Sequence, residues 1–254
     1  MLTAFGRTDI GRVRSSNQDS IFLSTDPIGP LPNLFIVADG MGGHNGGGIA
    51  SESAISHFCK YIKKSGKENS LDMDGFLDLM TAAAASANDG VLAQAELYTD
   101  LKGMGTTLTA CTMADDKCII IHAGDSRAYA LSTDSIVQLT QDHSYVGEMV
   151  KAGQLSKDEA RKHPRRNELT RVVGFGPKMD GLIHQMKSDQ ARVVLLCSDG
   201  LYNMLSENDI LEIVCKSENI ETATNTLIIT ANAAGGTDNI SVVLIEKDGN
   251  GVKS

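Results

Sequence analysis

Long apolar runs and an excess of basic residues are both missing from this sequence. Its 254 residues include 23 Lys and Arg against 32 Asp and Glu, which gives a formal net charge of −9. Nucleic-acid binding needs clustered cations that displace phosphate counterions, so this charge argues against a nucleic-acid partner. The longest apolar run, Val193 to Cys197, is far shorter than the ~20 residues that cross a bilayer, and we expect no membrane partner.

Paired cysteine motifs and a signal peptide are missing as well. The five cysteines are odd in number and none forms a C-x-x-C pair, so neither a disulfide framework nor a zinc site is indicated. Residues 1–7 lack the apolar stretch of a signal peptide. We therefore expect small, reduced core cysteines and a cytoplasmic protein.

The sequence has no linker, low-complexity segment or repeat, so we expect one domain over residues 1–254. Apolar residues recur at helical spacing over residues 47–64, 76–91 and 220–234, and Ser206 carries an N-cap pattern for another helix. Strand-like segments outnumber the helices, and those between residues 106 and 139 are joined by turns too short for parallel crossovers. These patterns predict an α+β fold with an antiparallel sheet core and helices packed outside.

Five aspartates stand in motifs of small or polar residues. They are Asp19 in Asn17-Gln18-Asp19, Asp39 in Asp39-Gly40-Met41-Gly42-Gly43-His44, Asp125 in Gly124-Asp125-Ser126-Arg127, Asp199 in Ser198-Asp199-Gly200, and Asp238 in Thr237-Asp238-Asn239. Several follow an apolar run, which places the carboxylate at the end of a buried strand. Carboxylates gathered at strand ends repel one another unless cations lie among them. The pattern therefore indicates a divalent-metal hydrolase.

Oxygen-only ligands select hard cations such as Mg²⁺ or Mn²⁺. Two such ions activate a bridging water and hold the oxygens of an in-line displacement at phosphorus. Other phosphate chemistries lack their motifs here. No cysteine is followed by an arginine six residues later, no G-x-x-x-x-G-K-[ST] loop is present, and the Gly40-x-Gly42 pattern fails at Asn45 for a dinucleotide fingerprint.

Eight motifs, in order from about residue 7 to residue 246, resemble the metal-dependent Ser/Thr protein phosphatases of the 2C type (the PPM family). They lie at residues 14–19, 38–44, 103–107, 124–129, 139–144, 163–167, 197–201 and 236–241. The Met-Gly-Gly-His sequence after Asp39-Gly40 is similar to the bacterial branch. The resemblance implies a four-layer α-β-β-α sandwich, in which two antiparallel β-sheets pack face to face with helices outside.

The resemblance also implies a role for each aspartate. Asp39 is expected to bridge two core ions, of Mn²⁺ or Mg²⁺, with the Gly40 carbonyl on one of them. Asp199 and Asp238 are expected to hold the other ion. Asp19 acts mainly through metal-bound water, and Asp125 forms a weaker third site with Asp199. Asn239 orients a neighbouring ligand or water without binding the metal itself.

Hydrolysis of phosphoserine and phosphothreonine in proteins is the activity that the resemblance implies. Water activated by the two metals attacks phosphorus directly, without a phosphoenzyme, and the enzyme opposes Ser/Thr kinases in signalling. Arg14 is expected to bind the substrate phosphate through its planar fork. We expect phosphorylated proteins, including such kinases and their substrates, as partners of a monomer.

Two positions depart from the family pattern. Animal members carry a proposed general-acid histidine directly after Asp-Gly, where this chain has Met41, and His44 is the candidate acid three residues later. Bacterial members commonly carry glutamate at the position of Gly48, so residues 46–48 are expected to loosen the start of the first helix.

Residues 144–167 are locally basic in an acidic protein. One interpretation is a solvated helical pair that ends at Pro164. The other is a mobile flap beside the site that helps to select phosphoprotein substrates. Two alternatives to the main function also stay open. One is a phosphatase of a partner-switching regulator or a small phosphate ester, and the other is an inactive phosphoprotein-binding module, which normally loses one of the aspartates.

Overall fold

A computed structural model describes residues 2–43, 46–66, 71–114, 117–175 and 193–247. Ten strands within these ranges form two sheets in which all paired strands are antiparallel. The strands are β1 Leu2–Asp9, β2 Asp19–Ser24, β3 Leu34–Met41, β4 Gly105–Thr106, β5 Leu108–Ala114, β6 Lys117–Ala123, β7 Arg127–Leu131, β8 Ile136–Gln138, β9 Val193–Cys197 and β10 Ile240–Lys247. The first sheet has the order β1-β10-β9-β7-β8, and the second has the order β2-β3-β5-β6 with β4 added to β3.

Seven α-helices are described. They are α1 Gly46–Lys64, α2 Met73–Leu97, α3 Tyr145–Lys151, α4 Lys157–Lys162, α5 Asp199–Tyr202, α6 Glu207–Lys216 and α7 Ile220–Ala233. Five of them (α2, α3, α4, α6 and α7) start with a side-chain cap, because a polar side chain before the helix accepts a hydrogen bond from a free backbone N–H. Ser206 forms the predicted capping box at α6 with Asp209, and Ser156 forms another at α4 with Glu159.

Alternating side chains divide the core into three layers. Val37 of β3 and Leu196 of β9 lie in the apolar layer between the two sheets. Ile36 points the other way and packs with residues of α1 and α2, whereas Leu195 packs with residues of α7. Successive residues of a strand face opposite sides of its sheet, so both sheets are buried on both faces. The predicted four-layer α-β-β-α sandwich is confirmed.

The boundaries differ from the sequence predictions at two places near the site. Strand β3 continues past the apolar run to Met41, because Gly40 and Met41 pair with β4. The short helix α5 begins at Asp199 and has no apolar periodicity to announce it. Residues 144–167 contain α3 and α4, as the helical-pair interpretation predicted.

Within the described ranges, no helix combines the length and the apolar character that crossing a membrane requires. The cysteines that were predicted to be core residues are mostly so. Cys59, Cys111, Cys118 and Cys197 are buried, Cys215 is exposed, and all five are free thiols.

Candidate metal and phosphate site

The strand registers bring the five aspartates to one end of the two sheets. Asp19 begins β2 and lies directly opposite Asp39 on β3. In the other sheet, Cys197 at the end of β9 aligns with Arg127 at the start of β7 and with Val242 near the start of β10. Antiparallel pairing therefore puts Asp199 after β9, Asp125 before β7 and Asp238 before β10 at the same edge.

A cleft of about 670 Å³ opens at this edge. Four of the aspartates line it, and Asp19 is buried beneath them with 7% of its surface exposed. The residues of the cleft wall that the sequence predicted to act are Arg14, Asp39, Gly40, Asp125, Asp199, Asp238 and Asn239. Both the carboxylates and the one candidate phosphate-binding arginine thus face a common space.

The backbone of Asp39 is fixed by the neighbouring threonines. Thr107 Oγ1 accepts from the Asp39 N–H at 2.9 Å, and the Thr107 N–H donates to the Asp39 carbonyl at 2.8 Å. Thr106 Oγ1 also donates to that carbonyl at 2.9 Å. With both backbone groups satisfied, the Asp39 carboxylate is left for the cleft.

Two serines hold one oxygen of Asp19. Ser198 and Ser241 donate to Asp19 Oδ2 at 2.8 and 2.7 Å. The other oxygen, Oδ1, is buried without a hydrogen-bond partner among the described residues, and the same is true of Oδ1 of Asp199. A buried, unpaired carboxylate oxygen is costly in a native protein and calls for a partner that the polypeptide does not supply.

The pKa values of the clustered aspartates also indicate that the cleft needs cations. Burial raises the pKa of Asp39 well above its usual range, and the charges of the other four aspartates add to the effect. Burial and a neighbouring aspartate likewise raise the pKa of Asp199 well above its usual range. Burial raises the pKa of Asp19 and of Asp125 to about 6 each. Polypeptide alone disfavours the charged form of this cluster, and cations would reverse that preference.

These donors fit hard divalent cations. They are oxygen atoms only, some are unpartnered, and they repel one another. No three His, Cys, Asp or Glu side chains in the described ranges are arranged to enclose a single ion. That geometry suits ions that take one or two carboxylates each and complete their coordination with backbone carbonyls and water, as Mg²⁺ commonly does.

Arg14 and Asp238 form an ion pair in the cleft. Arg14 Nη2 donates to Asp238 Oδ2 at 2.6 Å, with 54% of the arginine side chain exposed. The arginine is therefore open to solvent beside the predicted metal ligands. Asp238, a predicted metal ligand, is thus bound to Arg14, the residue predicted to bind the substrate phosphate.

Asn239 ties the loop that carries Arg14 to the site. Its side-chain oxygen accepts from the Gln18 N–H at 2.8 Å, and its amide donates to the carbonyls of Ile10 and Ser16 at 2.9 and 3.0 Å. The sequence predicted that Asn239 orients a ligand or water. In the structure it fixes backbone on both sides of Arg14.

Close backbone approach explains the glycines after Asp39 and Asp199. A Cβ on Gly40 would lie 2.0 Å from the carbonyl oxygen of Gly47, and a Cβ on Gly200 would lie 2.0 Å from that of Asn239. Any side chain would push these segments apart. In contrast, a Cβ on Gly48 meets nothing closer than 3.9 Å, so that glycine is not required by packing.

The Asp125 loop is supported from two sides. Tyr202 donates from its hydroxyl to the Asp125 carbonyl at 3.0 Å. On the other side the Gly124 N–H donates to His143 Nδ1 at 3.3 Å, and the ring of His143 stacks on His122 with centroids 4.9 Å apart. Both histidines thus support the loop from behind. His44, the candidate general acid, lies outside the described residues.

Sequence reasoning gave no role to several residues that hold this site together. These are Thr106, Thr107, Ser198, Ser241, Tyr202 and Asn203, the last of which donates to Asp199 Oδ2 at 3.0 Å. Most of them stand within a motif that the sequence singled out, which was the available signal. Apart from Asn203, their partners are distant in the sequence, so spacing alone gave no hint of those contacts.

A cluster of carboxylates at the edge of a four-layer sandwich is typical of a metal-dependent hydrolase. Comparison with known proteins makes this specific. The sequence profile of the protein phosphatase 2C family matches residues 10–232. The chain therefore belongs to the protein phosphatase 2C family and is a bacterial-type serine/threonine phosphatase.

Individual relatives cover nearly all of the chain. The serine/threonine phosphatase Stp of Listeria monocytogenes is 37% identical over 246 residues, which are 95% of this chain and 94% of the relative. The crystal structure of the serine/threonine phosphatase Stp1 from Staphylococcus aureus has a TM-score of 0.88 at 29% identity, over 98% of this chain and 96% of that one. The catalytic domain of the phosphatase PstP, in complex with two manganese ions, has a TM-score of 0.81 at 32% identity, over 96% and 97%.

Proposed function

We propose that this protein hydrolyses phosphoserine and phosphothreonine in proteins with two divalent cations bound in the aspartate cleft, and that residues 1–254 form the single domain that does so. The observation that carries the proposal is the burial of mutually repelling carboxylates, two of which have an unpartnered oxygen. Family membership and the manganese complex of PstP support the same interpretation.

Asp39 would help to hold both ions, the Gly40 carbonyl would hold one of them, and Asp199 and Asp238 would hold the other. Asp19 would act on this centre from beneath, and Asp125 with Asp199 would provide a weaker third site. When bound, the cations would activate a water molecule for direct attack on phosphorus and stabilise the charge on the phosphoryl oxygens. The rigid backbone around Asp39 favours this chemistry, because a preorganised site needs no rearrangement during the reaction.

Arg14 would bind the phosphate of the substrate. Its guanidinium is exposed at the cleft and already engages an anion, the Asp238 carboxylate, at 2.6 Å. A cation at Asp238 would compete for that carboxylate and release the arginine fork for two phosphate oxygens. Asn239 would keep Arg14 in place through the backbone that it anchors. His44 is retained as the candidate proton donor to the leaving oxygen.

In the cell the protein would oppose Ser/Thr kinases and act on phosphorylated proteins, including those kinases. We also propose a cytoplasmic location, because the free thiols suit a reducing compartment.

The direct test is phosphate release from phosphothreonine peptides with and without Mn²⁺. We expect turnover with Mn²⁺, none in excess EDTA, and none for the Asp39→Ala and Asp199→Ala variants. The exposed Asp26→Ala variant is the matched control and should keep wild-type activity. Full activity in the chelator would refute the two-metal proposal. Activity restricted to a partner-switching regulator would favour that narrower function.

A further inference from the structure

A second pocket opens beside the aspartate cleft. It has a volume of about 400 Å³ and lies between α3 and α4 on one side and the start of α5 on the other. Asp125, Asn167 and Asp199 line both the pocket and the cleft, so the two spaces are adjacent. A chain bound with its phosphate in the cleft would place a neighbouring residue here, since each extended residue spans about 3.3–3.6 Å.

Three cations line this pocket on the side formed by residues 144–167, the segment that carries α3 and α4. They are Lys151 at the end of α3, Arg161 in α4, and Arg166. Among the described residues, none of the three has an ion-pair partner. The neighbouring Arg165 is a useful contrast, because it pairs with Glu168 at 2.6 Å and stacks on Tyr145. As far as the described side chains go, the three pocket cations are thus available to an anion from elsewhere.

The acidic residues of the pocket do not cancel this charge. Asp142 is neutralised by Arg127, which donates to both of its oxygens at 2.6–3.2 Å. Asp125 and Asp199 belong to the shared wall, where the proposed cations would balance them. Glu207, in the first turn of α6, is the remaining acidic residue among the described residues of the lining, against three cations.

Hydrogen bonds and stacking hold the side chains and helix ends around the pocket. The Arg127 guanidinium lies 3.6 Å from the centre of the Tyr202 ring and donates to the Tyr129 hydroxyl at 2.9 Å. Ser144 caps the start of α3, and the Ser156 capping box fixes α4. A preformed pocket loses little entropy when a side chain enters it.

We propose that this pocket is a specificity subsite for an anionic side chain, a glutamate, aspartate or second phosphorylated residue, within about three residues of the phosphorylated one. Lys151 and Arg161 would be the residues that determine the preference. This inference rests on the proposed function and adds a substrate class to it.

The test is a panel of phosphothreonine peptides in which each position from three before to three after the phosphothreonine carries Glu, Gln, Lys or phosphoserine in turn. For the Mn²⁺-loaded wild type, we expect one position at which Glu raises kcat/KM over Gln by roughly three- to tenfold, with phosphoserine at least as good. The Arg161→Glu and Lys151→Glu variants should lose this preference and favour Lys. Because screening weakens partly exposed pairs, 0.5 M salt should reduce the ratio.

Lys162→Glu is the matched control, since Lys162 is the exposed neighbour of Arg161 in α4 but does not line the pocket. It should keep the wild-type preference. It should also cleave p-nitrophenyl phosphate and the Gln peptide within about twofold of the wild type, whereas for the two pocket variants the readout is the ratio of Glu-peptide to Gln-peptide cleavage within each variant. Two results would overturn the subsite alone. One is equal cleavage of the Glu and Gln peptides by the wild type. The other is a Glu-to-Gln ratio of kcat/KM that stays at the wild-type value in Arg161→Glu and Lys151→Glu as it does in Lys162→Glu. Failure of the wild type to cleave any peptide or the aryl phosphate would overturn the proposed function and the subsite with it.

Discussion

Replacement of Asp19 by asparagine should stabilise the metal-free protein at neutral pH. Burial raises the pKa of Asp19 from 3.8 to about 6. Because the folded-state pKa lies above the unfolded one, the contribution of this group to stability is complete below about pH 4. It is lost as the pH rises through about 6. The loss is about 3 kcal/mol near pH 7.5 and about 1 kcal/mol near pH 4.5.

Asparagine removes this penalty without removing the contacts. Its amide oxygen can still accept from Ser198 and Ser241, and its NH₂ group can fill the position of the unpartnered Asp19 Oδ1. Urea denaturation in EDTA should therefore show Asp19→Asn more stable than the wild type by up to about 3 kcal/mol near pH 7.5, with most of the gain gone near pH 4.5.

Divalent cations should reverse the relative stability of the wild type and Asp19→Asn. Mn²⁺ binds the folded state and stabilises it by mass action, and the wild type, with its full set of carboxylates, should gain more than Asp19→Asn. Asp26→Asn, on an exposed loop, should change stability by less than about 0.5 kcal/mol in either condition. The reasoning is refuted if Asp19→Asn destabilises the metal-free protein equally at both pH values, or if Mn²⁺ stabilises both proteins equally.

Three further substitutions test the local geometry. Gly48→Ala should raise the free energy of unfolding by about 0.5–1 kcal/mol in urea, because the helical position has room for a Cβ; destabilisation would show that the flexible helix start is required. Gly200→Ala should lower the melting temperature and the Mn²⁺-dependent activity together, because its Cβ would lie 2.0 Å from the Asn239 oxygen, and unchanged values would contradict the packing. Arg14→Lys should lower kcat/KM for phosphopeptides about tenfold or more, since a lysine cannot bind phosphate through a fork; wild-type kinetics would exclude the proposed role of Arg14.

The fold was predictable because its signals are local. Apolar alternation and short turns predicted antiparallel strands, and helical spacing located α1, α2 and α7 close to their observed bounds. What the sequence failed to predict has a non-local cause. The continuation of β3 through Gly40 and Met41 depends on pairing with β4, more than sixty residues away, and no periodicity at Met41 reports it.

The residue types of the site came from the sequence by itself. Five aspartates in small-residue motifs, oxygen-only ligands and the ordered motifs were sufficient to predict a metal-dependent phosphatase, since ligand chemistry is fixed by residue type. Tertiary structure decided how these residues meet. Only the strand registers show Asp19 opposite Asp39, and only the folded cleft shows Arg14 on Asp238. Such contacts join residues far apart in the sequence, and burial, which sets their pKa values and their need for cations, exists only once the chain has folded.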